Sequence, residues 1–145
     1  MSEQTKEQII RFAIRREQEA YKFILAIREV AKFPGIKFLL EDMAKEELEH
    51  KEKLELELIK LGEVVPEDDL SQTAYKIESD EIAEMDYADL LVLGMEKEDI
   101  SFRMYIDLAL KAQNAESRET FLAIAEQELR HKIRFEIEYE KLPQK

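Results

Sequence analysis

Both histidines of this 145-residue chain are preceded, three residues earlier, by a glutamate: Glu47 comes before His50, and Glu128 comes before His131. Residues three apart on an α-helix project from the same face, so each pair would offer a carboxylate beside an imidazole. Oxygen-rich sites with a minority of imidazole suit iron and manganese. The spacing therefore predicts that two facing helices bind metal through these pairs.

Further carboxylates fall on the apolar stripes of other predicted helices. Glu17 lies four residues after Ala13, and both Glu96 and Asp99 share the predicted inner face of a later helix. An unpaired charge in a core is costly, whereas four carboxylates would neutralise two divalent cations. Asp99 is the weaker candidate, because it could instead pair with Arg103 along the helix. The other predicted metal ligands are Glu17, Glu47, His50, Glu96, Glu128 and His131.

Four segments of the chain have apolar residues at three- and four-residue steps, the pattern of an amphipathic helix. Phe33-Pro34-Gly35 should end the first helix and turn the chain. Gly62 is the predicted C-terminal cap of the second helix, and Asp86 and Ser117 are the predicted N-caps of the third and fourth. The predicted helices cover about 6–32, 36–61, 86–112 and 117–142.

The connections between these helices indicate the fold class. Residues 63–85 lack clear periodicity and predict a long crossover, whereas the other two connections are short turns. This order predicts two antiparallel helix hairpins, and hence an all-α four-helix bundle in one domain over residues 1–145. The halves also resemble each other. Glu96 follows Glu17 by 79 residues, and the second Glu-x-x-His pair follows the first by 81.

Composition excludes several classes of function. The chain has no cysteine, which excludes disulfides, thiolate metal sites and thiol nucleophiles. Its net charge of −12 argues against nucleic acid, because a phosphate backbone binds a basic face. The sequence shows neither a signal peptide nor an apolar run long enough to cross a membrane. We therefore expect a cytoplasmic protein that binds neither nucleic acid nor membrane.

Four motifs together resemble a known family: Glu17-x-x-Ala20, Glu47-x-x-His50, Glu96-x-x-Asp99 and Glu128-x-x-His131. They are similar to the ligand motifs of rubrerythrin-type members of the ferritin-like superfamily, over essentially the whole chain. The resemblance implies two iron ions, for which manganese or zinc could substitute, and a reaction with hydrogen peroxide or dioxygen. It also implies that Glu47 and Glu128 bridge the metals and that Glu17, Glu96, His50 and His131 are terminal ligands. Asp99 stands where the family has a further mobile carboxylate, and no other catalytic residue is implied.

Two departures from the rubrerythrin pattern affect the expected function. Rubrerythrins typically carry a rubredoxin domain with cysteine ligands, and this sequence has no cysteine, so electrons are expected from a separate protein. The family often has a tyrosine about two turns after the first-helix glutamate, where this chain has Ile24. The resemblance still implies a redox enzyme that reduces hydrogen peroxide or oxidises Fe(II) with peroxide or dioxygen.

Two other functions stay open at the level of sequence. The chain could be an iron-binding or iron-handling module with little turnover, an interpretation that the missing rubredoxin ligands keep open. It could also be a helical interaction domain that keeps the ligands without using them. The superfamily further suggests a homodimer, although the sequence does not indicate which helix face would form the interface.

Overall fold

A computed structural model of the chain describes residues 5–32, 34–65 and 85–143. This part of the chain forms four helices and no strand, and 86% of it is helical. The predicted all-α four-helix class is therefore confirmed. Each helix begins and ends within two residues of its predicted bounds: α1 is Lys6–Val30, α2 is Pro34–Lys60, α3 is Tyr87–Lys111 and α4 is Ala115–Glu140.

The chain divides into two compact units. One contains α2 together with α1 as far as Arg28, and we call these two helices the first hairpin. The other contains α3 and α4, the second hairpin, together with residues 29–32. The single domain over residues 1–145 remains a prediction. Most of the predicted crossover, residues 66–84, lies outside the described residues.

Side chains cap the starts of α1 and α3. Thr5 Oγ1 accepts a hydrogen bond from the Gln8 N–H at 3.1 Å, and Gln8 Oε1 accepts one from the Thr5 N–H at 2.9 Å. Asp86 and Asp89 form the same reciprocal pair at the start of α3, which confirms Asp86 as the N-cap. Each pair satisfies backbone donors that have no acceptor inside the helix.

Gly62 ends α2, as predicted. Its φ of +80° lies in the left-handed region that favours glycine. Its N–H donates to the Ile59 carbonyl at 2.9 Å, and the Glu63 N–H donates to the Leu58 carbonyl at 3.0 Å. These two bonds satisfy carbonyl groups of the last turn and stop the helix.

Two predicted helix starts are corrected by the structure. α2 begins at Pro34 rather than after Gly35, because proline is well tolerated at the first helical position, where its missing N–H is not needed. α4 begins at Ala115, with Asn114 as N-cap in place of Ser117. Asn114 Oδ1 accepts a hydrogen bond from the Ser117 N–H at 2.8 Å, so Ser117 acts as the donor in the first turn.

The first hairpin is antiparallel. Arg11, near the start of α1, donates a hydrogen bond to the Val64 carbonyl beyond the end of α2, at 3.0 Å. Arg28, near the end of α1, lies 3.4 Å from Glu41 in the early part of α2. Most residues of the apolar stripes predicted for these helices are buried, although Leu61, predicted to lie on the inner face of the second helix, is exposed. The buried residues include Ile10, Ala13, Ile14, Ile24, Leu40, Met43, Leu54 and Leu58.

The second hairpin is also antiparallel, because the short connection 112–114 joins two helices that pack along their length. Gly94 of α3 lies against Phe135 of α4. A Cβ added at Gly94 would lie only 3.0 Å from the Phe135 ring. The missing side chain therefore lets the two helices approach closely at this point. The buried side of α3 continues from Gly94 through residues spaced by three and four, namely Glu98, Ser101, Tyr105 and Leu108.

Charged residues lie along the outward sides of the helices, as on α2 at Glu41, Lys45, Glu49 and Glu52, which are all exposed. None of the helices in the described part of the chain is long and apolar enough to cross a membrane. The cytoplasmic location remains a prediction from the sequence.

Candidate metal centre

The first hairpin contains a buried cluster formed by Glu17, Glu47 and His50, which we call the first triad. α1 provides Glu17, and α2 provides the other two residues, one turn apart. None of the three is more than 1% exposed. His50 Nδ1 lies 3.5 Å from Glu17 Oε2 and 3.9 Å from Glu47 Oε1. One ligand atom from each residue lies within 4.8 Å of the others, so the three side chains could hold a metal ion together.

The second hairpin contains a matching cluster in which one residue differs from the prediction. Glu128 and His131 of α4 are buried, and α3 adds Glu98. His131 Nδ1 lies 3.6 Å from Glu98 Oε1, and one ligand atom from each residue lies within 4.8 Å of the others. We call Glu98, Glu128 and His131 the second triad. Glu96 is exposed and is not part of it.

The inward position predicted for Glu96 is wrong because the buried side of α3 is rotated from the predicted one: it includes Leu91 but continues through Leu108 rather than Leu110. The prediction places Val92 and Leu110 on the inner face, but both are exposed. Glycine, serine and glutamate also lie on the buried side, and Gly94 leaves room there for the Phe135 ring. These three residue types give no hydrophobic signal in the sequence. The inner face of α3 includes Gly94, Glu98, Ser101, Tyr105 and Ala109.

A constant repeat length was the sequence signal that could have identified Glu98. Glu98 follows Glu17 by 81 residues, the same distance that separates the two Glu-x-x-His pairs. Pairing Glu17 with Glu96 requires 79 residues instead. A difference of two residues turns the position by about 200° around a helix, from the inner side to the outer side. The uniform spacing of 81 therefore favours Glu98 on sequence grounds as well.

Asp99, the weaker ligand candidate, binds cationic side chains instead of joining a triad. Asp99 Oδ1 accepts a hydrogen bond from Lys132 Nζ at 3.2 Å, and Oδ2 accepts one from Arg103 Nε at 3.0 Å. The hydrogen bond from Lys132 is the main reason that the pKa of the Asp99 carboxyl lies below its usual value. Asp99 thus belongs to an ion-pair network beside the second triad, on the more exposed side of the hairpin.

The electrostatics of the second triad favour a bound cation. Burial raises the pKa of Glu98 well above its usual value, the charge of Glu128 raises it further, and His131 opposes the shift. Glu98 Oε2 is buried and accepts no hydrogen bond within the described residues. A divalent cation would neutralise the adjacent carboxylates and supply a partner for this oxygen. The donor set, oxygen-rich with some imidazole, fits iron or manganese.

Comparison with known proteins agrees with this arrangement. The Rubrerythrin family model matches residues 8–139, from the first turn of α1 to the last turn of α4, and both triads lie inside the match. The chain belongs to the rubrerythrin family. Among curated proteins, none matches this sequence.

Three solved structures are similar to this member of the rubrerythrin family. A hypothetical protein from Pyrococcus furiosus, Pfu-1136390-001, has 24% identity and a TM-score of 0.76, over 94% of this chain and 89% of that one. The conserved hypothetical protein rv2844 from Mycobacterium tuberculosis has 15% identity and a TM-score of 0.79, over 97% and 94%. A two-domain protein from Anabaena variabilis, with DJ-1/ThiJ/PfpI-like and ferritin-like domains, has 17% identity and a TM-score of 0.68, over 98% and 41%. These likenesses show the fold.

Proposed function

We propose that this rubrerythrin-family protein binds two iron ions through its two triads and uses them for redox chemistry with hydrogen peroxide or dioxygen. The observation that carries the proposal is the repeated cluster, because each hairpin buries two carboxylates and an imidazole within 4.8 Å of one another. Charged side chains are rarely buried unless they are paired or bind a metal. Membership of the rubrerythrin family supports the same conclusion.

The six residues of the triads are the proposed ligands, with Glu98 in the place predicted for Glu96. By resemblance to the family, the carboxylates of Glu17, Glu47, Glu98 and Glu128 and the imidazoles of His50 and His131 would hold the two metals. Four carboxylates would balance the charge of two divalent cations. Manganese and zinc are the expected substitutes for iron, since both accept carboxylate and imidazole ligands.

Two bound Fe(II) ions would supply two electrons, which reduce hydrogen peroxide to two water molecules with the uptake of two protons. The chain's own contribution is a preorganised ligand shell from which water is excluded. His50 and His131 each hold Nδ1 within 3.6 Å of a carboxylate of their own triad. Nδ1 is therefore the imidazole nitrogen that we assign to the metal. No side chain outside the triads is given a catalytic role.

Sustained turnover would require an electron donor, which we propose to be a separate protein because the chain offers no cysteine ligands for a second iron centre. Without such a donor the protein would act as an iron-binding or iron-handling module with little turnover. This second function rests on the same triads. The redox enzyme and the iron-handling module differ in how quickly peroxide oxidises the bound Fe(II) and how quickly the resulting Fe(III) is reduced again.

Metal content and anaerobic Fe(II) titration of the purified protein test the proposal directly. We expect two irons per chain, rapid oxidation by one equivalent of peroxide, and an accompanying near-ultraviolet absorption band. Two irons that oxidise only slowly with either oxidant would support the iron-handling module. Failure to bind iron, manganese or zinc would contradict both functions. Stopped-flow comparison of peroxide with air-saturated buffer then ranks the two oxidants.

A further inference from the structure

The buried side of α3 carries two hydroxyl groups beyond its triad ligand. Ser101 follows Glu98 by three residues, and Tyr105 follows Ser101 by four, so the three side chains lie in a row on one face of the helix. Ser101 is 5% exposed, and Tyr105 is fully buried. Long side chains of a helix lean toward its N-terminus, which for Tyr105 is the direction of Ser101 and Glu98. The second triad is therefore flanked by buried hydroxyls on the α3 side.

The corresponding positions of the first hairpin are apolar, although its triad is built in the same way. The residues 81 positions earlier are Ala20 and Ile24, whose side chains have no polar atom. A tyrosine does follow Glu17 by four residues, but Tyr21 is partly exposed, and its counterpart in the second hairpin is Phe102. A helix can therefore pack beside a triad without this pair of hydroxyls, and the pair on α3 needs a reason of its own.

Ser101 occupies the place of a carboxylate. The resemblance implied a further carboxylate three residues after the third-helix ligand, which was Asp99 when Glu96 was taken as that ligand. With Glu98 as the ligand, the residue three positions later is Ser101. Asp99 is held by two cationic side chains instead. A neutral hydroxyl therefore stands where a fifth carboxylate was expected.

Oxidation of the bound iron would change the charge of the candidate centre. Two Fe(II) ions carry four positive charges, which the four triad carboxylates balance. Each ion gives one electron to hydrogen peroxide, which takes up two protons and becomes two water molecules. The iron pair is left with six positive charges, and buried charge is costly unless it is paired.

The chain offers no further buried carboxylate to balance the added charge in the part that the structure describes. Apart from the triad glutamates, Glu57 is the one buried carboxylate there, and it pairs with Lys60 at 2.9 Å. The missing negative charge must therefore come from solution, as hydroxide formed from water, as the anion of hydrogen peroxide or as another small anion.

Buried hydroxyls suit such a ligand. A serine or tyrosine hydroxyl can donate one hydrogen bond while it accepts others. A hydrogen bond donated to an anion is shorter and stronger than one donated to a neutral group. A carboxylate in the place of Ser101 would instead repel a second anion. Because both hydroxyls are buried, the ligand should be small, in the size range of hydroxide, hydroperoxide or azide.

We propose that Ser101 and Tyr105 form an anion subsite on the α3 side of the second triad. The subsite takes a small oxygen or nitrogen anion when the bound iron is oxidised, and the two hydroxyls donate hydrogen bonds to that anion. The subsite depends on the proposed function, because the bound iron supplies the positive charge. It adds the class of ligand and the side of the centre on which that ligand binds.

Removing both hydroxyl oxygens tests the subsite with little change in packing, because Ser101→Ala and Tyr105→Phe each delete one oxygen and no carbon. The double variant and the wild type are loaded with Fe(II), oxidised with peroxide and titrated with sodium azide, whose binding to Fe(III) gives a visible charge-transfer band. We expect the dissociation constant for azide to rise about tenfold for each hydroxyl that donates to the anion. Iron content should stay at two per chain, because neither residue is a ligand.

A matched control deletes the same two kinds of atom elsewhere. Tyr21→Phe removes the hydroxyl of the tyrosine one turn after Glu17, and Ser117→Ala removes a buried hydroxyl about three turns before Glu128. We expect this control to bind azide as the wild type does. Two irons per chain with equal azide affinity in all three proteins would overturn the subsite and leave the proposed function standing. Failure of the wild type to bind iron would overturn both.

The location of the subsite has its own test. Ser101→Asp should weaken azide binding at least as much as the double variant does, because its carboxylate supplies the missing charge at the same place. Ala20→Asp adds the same charge at the corresponding position of the first hairpin and should weaken azide binding less. Circular dichroism checks that both variants keep the helix content of the wild type. Equal weakening in the two variants would contradict a subsite on the α3 side.

Discussion

The two hairpins share their buried chemistry and differ around it. Glu17 and Glu98, and likewise the two Glu-x-x-His pairs, stand 81 residues apart, so the repeat holds without a gap across all six triad residues. Outside the triads, residues at corresponding positions differ in type: Gln18 corresponds to Asp99, and Ile24 corresponds to the fully buried Tyr105. Ligand geometry requires fixed positions and residue types, whereas packing and surface positions accept many solutions.

The lysines that follow the two histidines illustrate this difference. Lys51 is almost fully buried and binds Glu55 of its own helix at 3.1 Å. Lys132, its counterpart, is half-buried and binds Asp99 on the opposite helix at 3.2 Å. The second hairpin thus has an ion pair between its helices directly beside its triad. The residue type is kept in both halves, but its partner and its structural role have changed.

Removing the central carboxylate of each triad should have the largest effect. We expect Glu47→Ala with Glu128→Ala to abolish metal binding, because each hairpin loses a buried ligand from the middle of its cluster. Circular dichroism should still show a helical protein. Glu52→Ala with Glu126→Ala, two exposed positions on the same helices, is the control and should bind metal normally. Two metals per chain in the first variant would show that the ligand assignment is wrong.

Single substitutions on α3 should show whether the third-helix ligand is Glu98, as the structure indicates, or Glu96, as the sequence predicted. We expect Glu98→Gln to weaken metal binding by tens-fold or more, because changing even a supporting residue of a metal site typically costs about 10–100-fold in affinity. Glu96→Gln should leave the affinity unchanged, since Glu96 is exposed. Calorimetric titration of the metal-free protein with Mn(II) measures both. The opposite ranking would restore Glu96 as the ligand.

This contrast also shows how far the sequence could predict the site. The Glu-x-x-His spacing identified the α4 residues because both members lie on the same helix face whatever the exact rotation of the helix. The third-helix ligand depended on that rotation, which large apolar residues such as Phe102 and Leu110 misrepresent. The observed rotation brings Gly94 against Phe135, and glycine carries no hydrophobic signal. Helix starts at Pro34 and Ala115 were missed for a similar reason, since several nearby residues could cap or begin a helix.

The core of the two hairpins offers a test of compensating volume. Ala13 and Leu54 in the first hairpin correspond to Gly94 and Phe135 in the second, so a smaller residue accompanies a larger one. Gly94→Ala should destabilise the fold by about 1–3 kcal/mol through overpacking against the Phe135 ring, less up to about 1 kcal/mol gained in helix propensity. Phe135→Leu alone should cost about 1–2 kcal/mol through the cavity that it leaves.

The double variant Gly94→Ala with Phe135→Leu reproduces the pair found in the first hairpin. We expect its free energy of unfolding, measured by urea denaturation, to fall by less than the sum of the two single losses. The new methyl group occupies space that the ring vacates. Additive effects would mean that these two positions do not set the helix spacing together.

The smallest effect is expected at the ion pair that distinguishes the second hairpin from the first. Asp99→Asn removes the negative charge that pairs with Lys132 and Arg103 and one of the two acceptor oxygens, but all three side chains have access to solvent, where ion pairs contribute little. We expect a slight fall in Tm at low ionic strength that disappears in about 1 M salt, where the Debye length is roughly 3 Å. Glu55→Gln in the first hairpin should lower the Tm more and respond less to salt, because the ammonium of Lys51 is almost fully buried. If both variants lower the Tm equally and respond equally to salt, the ion pair contributes the same stability to each hairpin, although its carboxylate lies on a different helix in the two cases.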